Sequence, residues 1–202
     1  MRIIAGQHKG RRLLPPKSMT TRPITSRVKA ALFNIIGDAV ADAVVADLFS
    51  GTGSMGLEAL SRGAKFCFFA ERDRQALDRL KRNIKAMDQT DRCRVWRGDI
   101  LRYLRRWLEE ANEPIDLAFV DPPYALSERW RWGQAVEKLF APLGAKMDDE
   151  GLVVFRCRRN ISLPDTLGPL SVLEKRDYGK MSLVFMEKIS RDAGNARDKQ
   201  QK

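Results

Sequence analysis

No aspartate or glutamate precedes Asp38 in this chain, although eight basic residues do. Cysteine is nearly absent as well. Cys67, Cys93 and Cys157 stand far apart, without C-x-x-C spacing, and His8 is the single histidine. That excludes a disulfide framework and leaves too few soft ligands for a structural metal site, so reduced, packed thiols, no metal and a cytoplasmic location are expected. No apolar run approaches the ~18 residues of a membrane span. The segment Met1-Arg2-Ile3-Ile4-Ala5-Gly6 lacks the apolar stretch of a signal peptide. Internal repeats and low-complexity segments are also missing from the body of the chain.

What is present begins with charge. The net charge is +11, and eight of the 37 basic residues but none of the 26 acidic ones lie before Asp38. They are Arg2, Lys9, Arg11, Arg12, Lys17, Arg22, Arg27 and Lys29. Such a block beside a nearly neutral remainder reads as an electrostatic footprint for a polyanion. Anionic membrane fits less well, because no helix with a large apolar face accompanies the charge. Ile3, Ile4, Leu13 and Leu14 alternate with basic residues around Gly6 and Gly10, as a short hairpin does.

At 202 residues, 44% of them hydrophobic, the chain suits one α/β domain with a small appendage. Thr25 can cap a helix whose Val28, Ala31, Leu32, Ile35 and Ile36 share a face, with Gly37 as its stop. Strand and helix then alternate, the signature of a parallel, doubly wound sheet. Strands are predicted at 43–48, 66–71, 94–98, 115–121 and 151–156, and helices at 55–62, 74–87, 100–110 and 132–140. Two further strands, 170–177 and 181–188, joined by a turn at Tyr178-Gly179-Lys180, predict a final antiparallel hairpin and one reversed strand at the sheet's end. The expected organisation is a basic N-terminal, polyanion-binding extension over 1–37, an α/β domain over 38–189, and a disordered polar tail over 190–202.

Two strand ends carry the chemistry. The first apolar strand runs into Phe49-Ser50-Gly51-Thr52-Gly53-Ser54-Met55-Gly56, a glycine turn opening a helix. Gly51 permits the tight turn, Gly53 a close approach of backbone to ligand, and Gly56 close packing of helix on sheet. Glu71 ends the next strand, where an acid bonds ribose hydroxyls. No Gly-Lys-Ser/Thr follows, so a triphosphate has no lysine. Asp47 and Glu71 put negative charge at both ends of the site, which repels pyrophosphate and suits a sulfonium cofactor, S-adenosylmethionine. Asp99 can accept from the adenine amino group, or serve only as a helix cap, and Ile100 can pack on the purine. The other strand end is Asp121-Pro122-Pro123-Tyr124. The prolines stop the strand, leaving a carboxylate, the Pro122 carbonyl and an aromatic ring around one small space. Hydrogen bonds from an exocyclic amine to the first two favour a pyramidal nitrogen with its lone pair aimed at a methyl donor. Tyr124 offers the base a stacking face, and the base must leave its helix to arrive there.

With Asp47-Leu48-Phe49-Ser50-Gly51-Thr52-Gly53-Ser54-Met55-Gly56-Leu57-Glu58-Ala59, the Asp-Pro-Pro-Tyr turn resembles class I, seven-stranded, Rossmann-like methyltransferases that act on nitrogen. Met1 to Gly6, Lys9-Gly10-Arg11-Arg12-Leu13, Thr21 to Val28 and Ala31-Leu32-Phe33-Asn34 narrow the likeness. Together they resemble the RsmD-type bacterial 16S rRNA guanine-N2 methyltransferases, along the chain to about Lys188. The resemblance implies S-adenosylmethionine contacts at Asp47, Ser50, Gly51, Gly53, Gly56, Glu71, Asp99 and Ile100, and catalysis at Asp121, Pro122, Pro123 and Tyr124. It implies as partner 16S rRNA within the small ribosomal subunit or an assembly intermediate, with a monomeric enzyme. RNA contacts are expected from Arg2, Lys9, Arg11, Arg12, Lys17, Arg22 and Arg27, the last two folding over the cofactor site instead in a second reading.

Other readings use the same residues. A DNA adenine-N6 methyltransferase needs a separate DNA-reading domain, and a protein-glutamine methyltransferase has no use for the basic block. A nicotinamide dehydrogenase shares the glycine turn but not Asp-Pro-Pro-Tyr, and a non-catalytic RNA-binding assembly factor would not keep both motifs intact. Trp130 and Trp132 either line the base pocket or anchor the next helix in the core. Arg156, Arg158 and Arg159 end the fifth strand as phosphate contacts or as a solvated rim.

Overall fold

The computed structural model describes residues 1–16 and 24–189. Lys17, Arg22 and the tail expected to be disordered lie outside the described residues. Eight strands form one sheet in the order β3-β2-β1-β4-β5-β8-β7-β6. The central five, β1 (Val44–Leu48), β2 (Phe66–Glu71), β3 (Cys93–Arg97), β4 (Ile115–Val120) and β5 (Met147–Arg158), are parallel. Every residue of β1 is buried, as both faces of a doubly wound sheet require. Val45, Cys67, Phe69, Leu117 and Phe119 face one core, with α1 (Ser26–Ile36), α2 (Ser54–Ser61) and α3 (Arg74–Ala86). Ala46, Leu48, Phe68, Ala70 and Val120 face the other, with α4 (Ile100–Glu109). Chain order reverses between β1 and β4, and a crevice at the carboxyl ends of the strands is the consequence.

Three sequence expectations need correction. The reversed strand is not at the sheet's end: β8 (Met181–Lys188) lies between β5 and β7 (Leu170–Tyr178), antiparallel to both. The hairpin pairs through its second strand, because Val184 and Met186 belong with the β5 side chains in one core. A two-residue strand, β6 (Thr166–Leu167), adds an eighth to the expected seven. Lastly, the helix expected over 132–140 begins as α5's successor. The one-turn α5 (Tyr124–Ser127) is followed by α6 (Trp132–Ala135), which widens into a π turn over Val136–Phe140 and continues as α7 (Ala141–Lys146). Pro142 has no N–H to give, and the ladder shifts register just before it.

The basic arm is hairpin-like but has a single antiparallel bridge, Arg2 with Arg12, supported by Ile3 N–H to the Arg11 carbonyl at 3.0 Å. Only Ile3 and Leu13 of its four apolar residues are buried, in the core shared with α1 and α2. Glu58 of α2 holds the arm in place. Its carboxylate accepts from the Ile4 and Ala5 amides (2.8 and 3.0 Å), Lys29 (2.9 Å) and Arg62 (3.0 Å). Lys29 is 2% exposed and Glu58 0%, so Lys29 is a tie between arm and domain and not part of a polyanion footprint. Burial lowers the Lys29 pKa and Glu58 opposes that shift.

Candidate active site

Strand register alone converges four carboxylates. Leu48 pairs with Ala70 on one side and Val120 on the other, and Glu71 pairs with Arg97. Glu71, Asp99 and Asp121 therefore emerge at neighbouring strand ends, with Asp47 beneath the turn that follows β1. A cleft of about 550 Å³ opens there, its lining including Gly51, Glu71, Asp99, Ile100, Asp121 and Pro123. A second, smaller hollow lies beyond Asp121, bounded by Asp47, Ser50, Gly51, Asp121, Arg156 and the arm residues Met1, Pro16 and Ile24. Asp121 belongs to both.

The glycine turn is held by side chains, not only shaped by glycines. Asp47 Oδ2 accepts from Gly56 N–H at 2.9 Å inside the first turn of α2, and Ser50 donates to the Ala70 carbonyl. Gly51 has φ +55°, consistent with the expected tight turn. Gly53 also serves packing: a Cβ there would come 2.4 Å from Leu80 of α3. At Gly56 a Cβ would meet Phe69 and Cys67, in agreement with the packing role read from sequence.

Glu71 is more committed than its strand-end position suggests. Oε2 accepts from Gly51 N–H at 2.8 Å, and Oε1 from the amides of Arg72 and Asp73 at 2.7 and 2.8 Å. A carboxylate has about four acceptor sites, which leaves one for a ligand. Asp99 caps α4 through Oδ1 to Leu101 N–H (2.9 Å) and meets Arg72 through Oδ2 (3.3 Å). It does cap the helix, while also lining the cleft. Ile100 is largely buried, with one edge at the cleft wall.

Burial pushes the Asp47 carboxyl up to about 7, against the Gly56 N–H and reinforced by Asp121 and Glu71. An unfolded aspartate titrates near ~3.9, so the folded protein binds an extra proton between about pH 4 and 7, and this group's contribution to stability falls as pH rises through that window. Asp47→Asn keeps the acceptor for Gly56. The variant's thermal midpoint should fall less than wild type's across the window and exceed it by several degrees above pH 7. Parallel pH curves for the two proteins would show that the charge at Asp47 carries no such penalty.

At the second strand end, Asp121 N–H donates to the Leu48 carbonyl at 3.2 Å. Its carboxylate is paired with Arg156 Nε. Burial raises the Asp121 pKa and Arg156 pulls it back down. Arg156, read from sequence as a phosphate contact or a rim, is 5% exposed and sits behind Asp121. Its guanidinium lies 5.5 Å from the Tyr124 ring centroid, and that of Arg158, paired with Glu128, lies 5.0 Å away. Tyr124 thus has cations over its ring, and Pro122 is buried beside it. Trp130 stacks on Phe155 and Trp132 meets both edge-on, so the two indoles pack with the core. Arg2, Lys9, Arg11, Arg12 and Arg27 are exposed on the arm and at the start of α1, none of them lining the main cleft. One signal for Arg156 was available in sequence: a lone basic residue inside the apolar run Leu152 to Cys157.

A model of the family described as "Conserved hypothetical protein 95" matches residues 1–187. The chain belongs to that family. Within reach of it, "Putative rRNA methyltransferase YlbH" of Bacillus subtilis (strain 168) is 33% identical over 190 residues, covering 93% of this chain and 99% of that one. "Ribosomal RNA small subunit methyltransferase D" of Escherichia coli (strain K12) is 37% identical over 124 residues, 61% of this chain and 60% of that one. The solved structure of "Putative methyltransferase yhhF from Escherichia coli" superposes with a TM-score of 0.76 at 29% identity, covering 93% and 97% of the two chains. The RsmD-type likeness read from the motifs and the Conserved hypothetical protein 95 family thus coincide, and the sheet is the methyltransferase sheet.

Proposed function

We propose that the protein transfers a methyl group from S-adenosylmethionine to the exocyclic N2 amine of one guanine in 16S rRNA of the small ribosomal subunit. The observation that carries this reading is the place of Asp121, in the wall common to a cofactor-sized cleft and a smaller hollow. The relatives' names support rRNA as the substrate class.

The residues fit the cofactor. Glu71, Asp99 and Asp121 give the cleft a negative lining suited to a phosphate-free sulfonium, with Asp47 in the wall of the adjoining hollow, and the turn has no triphosphate lysine. Bound S-adenosylmethionine supplies an electrophilic methyl group. Glu71 offers its remaining acceptor site to a ribose hydroxyl, Asp99 and Ile100 flank the adenine, and the Ser50 to Gly53 turn closes over the rest. On the far side, Asp121 and the Pro122 carbonyl accept the two N–H bonds of the guanine amine and orient its lone pair. Arg156 keeps Asp121 an acceptor. The flipped base stacks on Tyr124 once Arg158, the more exposed of the two guanidiniums, moves aside. After transfer the cationic amine sheds one proton, with Asp121 as the nearest acceptor. The basic arm contributes phosphate contacts, which position RNA without reading its sequence.

Methyl transfer from labelled cofactor to 16S rRNA, to small subunits from cells lacking this gene, and to DNA, followed by nucleoside analysis, tests the reading. N2-methylguanosine in the RNA arms supports it; methyladenine in DNA overturns it. Glu71→Ala should weaken S-adenosylhomocysteine binding about 10- to 100-fold, as loss of a charged acceptor worth about 1.5–3 kcal/mol predicts. S-adenosylhomocysteine should raise the wild-type melting temperature and NAD should not. Stabilisation by NAD alone would replace the methyltransferase reading with a dehydrogenase one.

A further inference from the structure

The arm does not cross the domain at random. From Arg11 to Pro16 it runs along α3, one contact per turn, from the helix's carboxyl end toward its amino end. Arg11 donates to the Ala86 carbonyl, and the Leu14 amide donates to Asn83 Oδ1 at 2.8 Å, with Asn83 Nδ2 returning to the Leu14 carbonyl at 3.3 Å. Arg79 then donates to the Pro15 carbonyl at 2.7 Å. Pro16 arrives at the mouth of the main cleft, in the same wall as Asp73 and Ala76. Asn83 also reaches the Thr52 carbonyl at 2.9 Å, tying this seam to the glycine turn. From Ala76 to Ala86 the seam is about 15 Å long at 1.5 Å per residue.

Exposed charge along the seam is mainly positive. Arg12 and Lys9 are exposed on the arm side, and Arg74, Lys81, Arg82 and Lys85 on α3. Arg82 is next to the contact row of Arg79, Asn83 and Ala86, Lys85 lies further round the exposed face, and Arg74 and Lys81 lie further still. Asp78, one turn from Arg74 and Arg82, is the one acid within α3; Asp73 caps its start, and Asp88 and Asp91 lie past its end. α4 also carries arginines, but Arg106 and Arg94 both lie near Glu110, and no part of the arm accompanies them. Arg11 and Arg79 differ from their neighbours in being struts: each spends a donor on a main-chain carbonyl to hold the seam together.

We propose that the seam between the arm and α3 is a phosphate track that leads the RNA backbone to the cleft, with Arg82 and Lys85 on the exposed flank of α3 as RNA contacts together with Arg12. The proposal rests on the rRNA methyltransferase reading and adds a helix to an interface that the sequence confines to residues before Asp38. Its consequence is that removing charge from α3, more than 40 residues from the arm in sequence, weakens RNA binding in the same salt-dependent way as removing it from the arm.

The test compares the full chain with Arg82→Glu/Lys85→Glu and with the matched reversal Arg105→Glu/Arg106→Glu on α4. Each is measured for S-adenosylhomocysteine affinity, for binding to small subunits from cells lacking this gene across a salt series, and for methyl transfer to them. The α3 variant should bind S-adenosylhomocysteine as wild type does, lose at least about tenfold in subunit affinity, and show a log K against log salt slope smaller by about two units. The α4 variant should keep most of its affinity. An α3 variant with wild-type affinity and slope, or an α4 variant impaired as much, overturns the track while wild-type methylation of the subunits keeps the enzyme reading intact. A wild type that neither binds nor methylates RNA overturns both.

Discussion

Replacing Asp121 with alanine is expected to lower turnover at least ~100-fold, the scale of losing a contact that orients the nucleophile in the transition state. Cofactor affinity should hardly change, because the contacts proposed for the adenosyl group come from Glu71, Asp99 and Ile100. The variant also removes the carboxylate paired with Arg156, which lowers stability as well as turnover. Asp121→Asn is therefore the companion: it preserves shape and an acceptor oxygen but not the charge. Single-turnover methylation and calorimetric titration with S-adenosylmethionine separate the effects. A folded, cofactor-binding Asp121→Ala protein with near-normal turnover removes Asp121 from the mechanism.

The second large effect belongs to Arg156. Burial raises the Asp121 pKa and the Arg156 guanidinium opposes it. With Arg156→Met the opposition is gone, and Asp121 holds its proton to higher pH. A protonated carboxyl is a poorer acceptor for the amine, so turnover at pH 7 should fall at least ~10-fold and recover in part at alkaline pH. The acidic limb of the kcat profile should move upward by a unit or more, with KM for S-adenosylmethionine unchanged and Arg156→Lys intermediate. Equal loss at every pH would make Arg156 a packing residue only.

The sheet's parallel half was legible because its signals are local. Apolar runs ending at Asp47-Leu48, Glu71, Asp99 and Asp121 alternate with helical periods, and strand order then brings those ends together. Asp121 and the glycine turn could be found the same way. What escaped sequence reasoning depends on partners distant in the chain. Arg156 is 35 residues from Asp121, and Glu58 is 53 and 54 residues from the arm amides it holds. Periodicity sees one element at a time and has no access to such pairs. A trace of them was nevertheless present. Lys29 occupies the apolar stripe of α1 with Phe33 and Ile36, and Glu58 stands in a helix buried along nearly its whole length. Two opposite charges on buried faces of neighbouring helices are each inexplicable alone. The position of β8 has a similar cause, since turn chemistry specifies that two strands pair but not which of them joins the sheet.

The Glu58 tie also sets an order of assembly during synthesis. Residues 1–16 leave the ribosome before any of their partners: Glu58 and Ser61 on α2, Arg79, Asn83 and Ala86 on α3, and Gln89 beyond it. This segment is thus made before the scaffold on which it finds its place. Until α2 has emerged the arm lacks its Glu58 tie, and until about residue 89 has emerged it lacks the rest of its scaffold, while the nascent chain is still beside ribosomal RNA. Pulse-labelled hydrogen exchange on chains stalled before and after α2 has emerged should show the Ile4 and Ala5 amides protected only in the longer ones, and the Leu14 amide only once Asn83 has emerged as well.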